Sequence, residues 1–160
     1  MNDQNKEQVV LLVDDEEIVL TSISSFLELE TSYKVISFTS AEDALEYVKE
    51  HGCDIVISDY LMPHMDGITF LGHMKEIAPE VPRIILTGYA DKENAIKAIN
   101  DVGLFQYIEK PWDNDDILII IRNGLERQQL MKKLDEKIYQ INEAYAELQG
   151  LHRDIVKTFA

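Results

Sequence analysis

Cysteine is nearly absent: Cys53 stands alone in a chain of 160 residues. One thiol cannot build a disulfide framework, and its place beside an apolar run fits a reducing compartment. No apolar run approaches the roughly 20 residues that a bilayer-spanning helix needs. The opening MNDQNKEQ is polar and does not read as a signal peptide. These absences lead to the expectation of a cytoplasmic protein with no membrane partner. Positive charge is scarce as well, with 15 Lys and Arg against 30 Asp and Glu and a net charge of −15. The deficit is uneven: residues 1–125 hold 24 of the acids and 9 of the bases, while residues 126–160 hold six of each. An acidic globular part argues against direct nucleic-acid binding.

What is present alternates. Val9 to Val13 is a continuous apolar run, as expected of a strand buried on both faces of a parallel sheet. Asp14, Asp15, Glu16 and Glu17 follow it, and acids there suit the start of a helix carrying Ile18, Val19, Ile23, Phe26 and Leu27. Tyr33 to Phe38 alternates like a strand. Ser40 then caps a helix, with Asp43 in a variant of the capping box, and Gly52 ends it. Ile55 to Ser58 is a third strand closed by Asp59, and Pro63, Asp66 and Gly67 form the loop after it. A helix over Ile68 to Ile77 stops before Pro79 and Pro82, and Arg83 to Thr87 is a fourth strand. Ala95, Ile96, Ala98 and Ile99 mark another helix, broken at Gly103. Gln106 to Glu109 is a short fifth strand, closed by Lys110 and Pro111 ahead of a long last helix.

Five β-α units in a row predict an α/β fold with a doubly wound parallel sheet of five strands. Right-handed crossovers bring the carboxyl ends of all strands to one edge, where open sheets of this kind carry their chemistry. Asp14, Asp15, Asp59, Thr87 and Lys110 converge there. Each acid taken alone reads as a helix cap, but capping does not account for Lys110. Three carboxylates at close quarters need a cation, and an all-oxygen donor set suits a hard ion of the Mg²⁺ type rather than zinc. A metal beside a carboxylate, with an ammonium and a hydroxyl opposite, makes a cradle for a phosphoryl group. Asp59, at the centre, is the candidate nucleophile, which would give an acyl phosphate.

These residues resemble the receiver domains of two-component response regulators. The resemblance rests on the acidic pair after the first strand, D-x-x-M-P-x-M-D-G after the third, Thr87 followed by Gly88 after the fourth, and Y-I-x-K-P around the fifth. It covers about residues 7–125. It implies the flavodoxin-like strand order 2-1-3-4-5, a cis Lys110–Pro111 bond and a histidine kinase or phosphotransfer protein as donor. It also implies that Asp59 is the phosphoacceptor and that Asp14, Asp15 and the Leu61 backbone carbonyl help it hold Mg²⁺. Lys110 would pair with the phosphoryl group, and Thr87 and Tyr107 would move together as the switch. Such motion would reshape the face made by the fourth helix, fifth strand and fifth helix. Leu61 and Tyr89 would flank the approach of the hydrolytic water. The competing reading is a Mg²⁺-dependent phosphohydrolase with an aspartyl-phosphate intermediate, such as the haloacid-dehalogenase type. That family has its nucleophile after the first strand and usually carries a cap domain; here the first strand ends in D-D and no cap is inserted.

The last 35 residues have a pattern of their own. Met131, Leu134, Ile138, Ile141, Tyr145, Leu148, His152, Ile155 and Phe159 recur at alternating intervals of three and four, a heptad stripe. No proline interrupts residues 116–160. The expectation is a receiver domain over 1–125 and a coiled-coil linker helix over 126–160, dimerising through 131–159, with a helix folded back on its own domain as the alternative. Gly124 and Gly150 read as weak points in that helix. The run ends without a cap, which leads to the expectation of an output domain beyond it. The K-P-W-D-x-D-D start of the last helix and the L-x-R-x-I-V-K-T-F-A end resemble the joints of regulators with HD-GYP-type phosphodiesterase outputs, with kinase, cyclase or transcriptional outputs as the alternatives.

Overall fold

The computed structural model describes residues 7–159, with the side chains of Tyr89, Ile99 and residues 152–160 outside that description. Five parallel strands form one sheet in the order β2-β1-β3-β4-β5, as the β-α alternation predicts. The strands are β1 (Val9–Val13), β2 (Lys34–Phe38), β3 (Ile55–Asp59), β4 (Arg83–Thr87) and β5 (Gln106–Glu109). Both β3 and β4 are buried along their whole length, which explains why neither shows the polar alternation of a half-exposed strand.

The period-2 geometry of the strands sorts the apolar residues into two cores. On one face Leu11, Val13, Val56 and Ile85 meet α2 (Ala41–His51), α3 (Gly67–Ile77) and α4 (Lys92–Ala98) through Val48, Phe70, Met74 and Ala95. On the other face Val10, Leu12, Ile57, Ile84 and Ile108 meet α1 (Glu17–Glu30) and the first turns of α5 (Asn114–Phe159), through Leu20, Ile23, Leu27, Ile117 and Ile121. Helices thus cover both faces, and the strand ends stay open for a site.

Local signals act where the sequence places them. Ser40 accepts a hydrogen bond from the Asp43 amide at 3.3 Å and caps α2. Asp66 does the same for α3, accepting from the Thr69 amide at 2.7 Å. Three details differ from expectation. Strand β2 begins at Lys34, because the Tyr33 amide bonds the Thr31 hydroxyl at 3.2 Å rather than a neighbouring strand. Helix α4 does not end at a simple break but runs into a π-helical turn over Ile99–Gly103. Gly124, expected as a weak point of the helix, is also a close approach. A Cβ there would lie 2.7 Å from Cδ1 of Ile55 and 3.4 Å from the Phe105 ring, so a side chain at this position would have to displace the end of Ile55.

The chain divides into two compact units, Met1–Gln128 and Gln129–Ala160. Helix α5 is assigned as one element of 46 residues across that boundary. In the second unit every side chain of residues 129–151 is exposed. The stripe positions His152, Ile155 and Phe159 lie outside the described residues. Among the described residues no helix is long and apolar enough to cross a membrane.

Candidate functional site

Parallel register puts the polar residues together. Val13 of β1 pairs with Ser58 of β3, Asp59 with Leu86 of β4, and Thr87 with Glu109 of β5. The residue at or just past each of these strand ends therefore reaches one edge. Asp14 follows β1 directly, and its amide bonds the Phe38 carbonyl at 3.1 Å. Lys110 follows β5, and its amide bonds the Thr87 carbonyl at 2.9 Å. The Lys110–Pro111 peptide is cis. The carboxylates of Asp14, Asp15 and Asp59 offer ligand atoms that all lie within 4.8 Å of one another.

Lys110 turns inward as its position implies. Its Nζ donates to Asp59 Oδ1 at 2.8 Å and lies 3.7 Å from Asp14 Oδ2. Burial pulls the Lys110 ammonium down, but the hydrogen bond and charge of Asp59, with the charge of Asp14, outweigh it and leave it above its ordinary value. Asp59 forms no helix cap, since Asp66 already caps α3. The loop between them is tight. The Gly67 amide bonds the Tyr60 carbonyl at 2.8 Å, and a Cβ on Gly67 would collide with the Asp59 carbonyl. Glycine is required there, and the short loop fixes the backbone that aims Asp59.

Asp14 is the least comfortable group. It is 1% exposed, and Oδ1 accepts from the Glu16 amide at 2.9 Å while buried Oδ2 lacks a hydrogen-bond partner. Its pKa is raised from 3.8 to about 6, first by burial, against which the Glu16 amide works, and then by the Asp59 charge beside it. A buried carboxylate with an idle oxygen, next to two more carboxylates, is what an oxygen-seeking cation would relieve. The donor set therefore fits Mg²⁺. One expected outcome follows. The folded pKa exceeds the unfolded one, so ionised Asp14 weakens the fold, increasingly as pH rises from about 4 to about 6 and fully above that. Asp14→Asn should stabilise the metal-free chain at neutral pH by on the order of 2 kcal/mol and abolish stabilisation by added Mg²⁺. Thermal melts with EDTA and with Mg²⁺ check both. A lower melting temperature in EDTA would show that burial of the charge is not the governing cost.

Of the remaining expected residues, Thr87 is fully buried at the same edge, where its hydroxyl donates to the Gly88 carbonyl at 3.2 Å. Leu61 is 61% exposed just beyond Asp59. The Tyr89 side chain lies outside the described residues. Tyr107 is half-buried, and Lys92 Nζ stands 5.8 Å from its ring centroid.

Comparison with known proteins agrees with this geometry. The response regulator receiver domain family matches residues 10–122. The chain belongs to that family. The hydrogenase transcriptional regulatory protein HoxA of Cupriavidus necator is 34% identical over 134 residues, 82% of this chain and 27% of that protein. Response regulator Rre1 of Synechocystis sp. is 34% identical over 148 residues, 91% of this chain and 64% of that protein. The chain thus spans between about a quarter and under two-thirds of these curated relatives. Among solved structures, the signal receiver domain of an HD domain-containing protein from Pseudomonas fluorescens Pf-5 aligns with a TM-score of 0.73 and 34% identity, covering 78% of this chain and 98% of that one. A receiver is a signalling module rather than a classical enzyme, and the acidic pocket of Asp14, Asp15 and Asp59 is consistent with a phospho-accepting site.

Two residues of the receiver escaped sequence reasoning. Lys92 pairs with Glu109 at 3.3 Å while facing Tyr107, and an exposed lysine opening a helix gives no signal of this. Arg83 had a signal, a charge opening the apolar run R-I-I-L-T, which was read only as a strand. Burial first, with Asp54 and Glu80 nearby, pushes the Cys53 thiol up to about 12, which disfavours the reactive thiolate.

Proposed function

We propose that the receiver is a phosphorylation-activated switch that takes a phosphoryl group onto Asp59 from a histidine kinase or phosphotransfer protein. The observation that carries this reading is the 2.8 Å contact of Lys110 Nζ with Asp59 Oδ1 beside the idle oxygen of Asp14. In the step, an Asp59 carboxylate oxygen bonds to phosphorus as the donor's phosphorus–nitrogen bond breaks, and the electron pair leaves with the imidazole. Asp14, Asp15, Asp59 and the Leu61 carbonyl would hold Mg²⁺, which offsets charge on the transferring oxygens when bound. Lys110 balances the phosphoryl charge. The Thr87 hydroxyl leaves the Gly88 carbonyl to donate to a phosphoryl oxygen, and Tyr107 turns inward into the space that Thr87 frees.

The same proposal assigns residues 1–125 to the receiver and 126–160 to a coiled-coil linker helix that dimerises through 131–159. That helix leads to an output domain in cis. The similarity to the receiver of an HD domain-containing protein favours an HD-type output, with the HD-GYP type as its narrower form, while the similarity to HoxA favours a transcriptional one. The cytoplasmic setting of such systems completes the reading.

Incubation with Mg²⁺ and acetyl phosphate, followed by intact mass, is the test. A persisting adduct on Asp59 supports the switch. Continuous turnover of the donor supports the phosphohydrolase, and neither outcome is compatible with a purely structural module. The adduct is expected to be long-lived. Its hydrolysis needs a water held in line by a polar group, and neither Leu61 nor Tyr89 is an acid or amide. Leu61→Asn combined with Tyr89→Glu should speed dephosphorylation by about tenfold or more. Equal decay in parent and double variant would remove side-chain control of the water as the explanation.

A further inference from the structure

Among the described residues Arg83 is a buried cation that forms no salt bridge. It opens β4 and is 7% exposed. Its Nε donates to the Val102 carbonyl at 3.1 Å and Nη2 to the Gly103 carbonyl at 3.2 Å. Nη1 donates to the carbonyls of Pro79 and Val81, each at 3.2 Å. Four charge-assisted bonds thus tie the loop before β4 to the π-helical turn that ends α4. The turn's carbonyls are the negative end of a helix, where a fixed cation is favoured. The anchor extends one step further: the Phe105 amide bonds the Arg83 carbonyl at 2.8 Å.

The other end of α4 is held differently. From Thr87 the chain passes through Gly88 and the turn Tyr89–Asp91 directly into Lys92. Lys92 meets Glu109 at 3.3 Å with both side chains more than a third exposed, and faces Tyr107 at 5.8 Å. An exposed pair of this kind holds weakly and yields readily. One end of α4 is therefore tied by buried bonds, while the described contacts of Lys92 at the end next to the phosphorylation site are more exposed.

We infer that Arg83 is the pivot of the switch: it fixes the C-terminal turn of α4, so that movement started at Thr87 swings the N-terminal end of α4 past Tyr107 and Glu109. This rests on the switch reading above and adds where the moving element is hinged. Arg83 is a positioning residue, remote from the phosphoryl group and acting through the four carbonyls that it grips. A guanidinium suits the task because its planar fork engages several carbonyls at once, which a lysine ammonium on a flexible stem does less well.

Backbone amide hydrogen exchange on the full chain tests the pivot, with Mg²⁺ and with or without acetyl phosphate, while intact mass reports Asp59 occupancy. In the parent, phosphorylation should change exchange in residues 88–95 by about fivefold or more, the lower end of ordinary couplings. Residues 102–105 should hold the same protection in both states. In Arg83→Met, basal exchange at 102–105 should rise about tenfold or more, and the phosphorylation-dependent change should spread into that turn. Arg83→Lys should restore part of the confinement. A purely structural clamp would raise exchange equally in both states and leave the response confined to 88–95, which overturns the pivot. A parent whose residues 102–105 respond as strongly as 88–95 overturns it too, whether or not the Arg83 variants fold. Failure of Asp59 to label is a separate result that removes the switch and the pivot together.

Discussion

Asp59→Asn is expected to abolish labelling by acetyl phosphate while leaving the fold intact. The asparagine oxygen can still accept from Lys110 Nζ, which holds Asp59 Oδ1 at 2.8 Å, so the strand edge keeps its main contact. What is lost is the anionic oxygen that bonds to phosphorus. The expected result is an all-or-none change in intact mass. Asp15→Asn is the companion variant: it keeps the nucleophile and removes one ligand charge. The Mg²⁺ concentration for half-maximal labelling should then rise by at least the roughly tenfold typical of losing even an outer-shell partner. Full labelling of the Asp59→Asn protein would end the assignment of Asp59.

The legibility of this site has a physical basis. Strands buried on both faces must be apolar throughout, so a polar residue at their ends stands out: Asp59 after I-V-I-S, Thr87 after I-I-L and Asp14 after V-V-L-L-V. Parallel topology then brings those ends together without any side-chain information. The two-layer core was legible for the same reason. Side-chain choices made far apart in sequence were not. The orphaned oxygen of Asp14 depends on which of its two oxygens the Glu16 amide takes. The grip of Arg83 on Val102 and Gly103 joins residues that are 19 and 20 positions away. Gly124 shows the limit most clearly. Helix propensity makes it a cost in isolation, yet Ile55 and Phe105 crowd its face so closely that any side chain would have to displace them. Propensity is a local quantity, and the contact is not.

The boundary between the two units shapes how the linker can be tested. Leu125 and Gln128 are buried in the first unit, so a receiver without its linker should end after Gln128 rather than after Gly124. That truncated protein should keep Asp59 labelling and lose the proposed self-association, which would separate labelling from dimerisation.

Replacing both Ile138 and Ile141 with lysine is expected to dissociate the dimer proposed for the full chain. These residues sit at successive stripe positions and are 48% and 65% exposed on the single chain. Their stripe neighbours Met131, Leu134, Tyr145 and Leu148 are exposed as well, so about five turns of helix present an apolar seam to water. In the proposed dimer a second copy would cover this seam residue for residue, because a narrow stripe with a 3.5-residue period matches another helix of the same period. The near balance of charge in 126–160, six acids and six bases, leaves little repulsion to oppose pairing there, unlike the acidic first unit. In a parallel dimer the double variant would bury four ammonium groups at the centre of the seam without partners, which is strongly destabilising. The dissociation constant should rise by about a hundredfold or more, and sedimentation at micromolar concentration should show monomer where the parent is dimer. Asp59 labelling should be unchanged, since the substitutions lie outside the first unit. Should the variant sediment as a dimer like the parent, the stripe is not the interface. The apolar residues of 131–148 would then have to be covered by another surface, which crosslinking from that helix would identify.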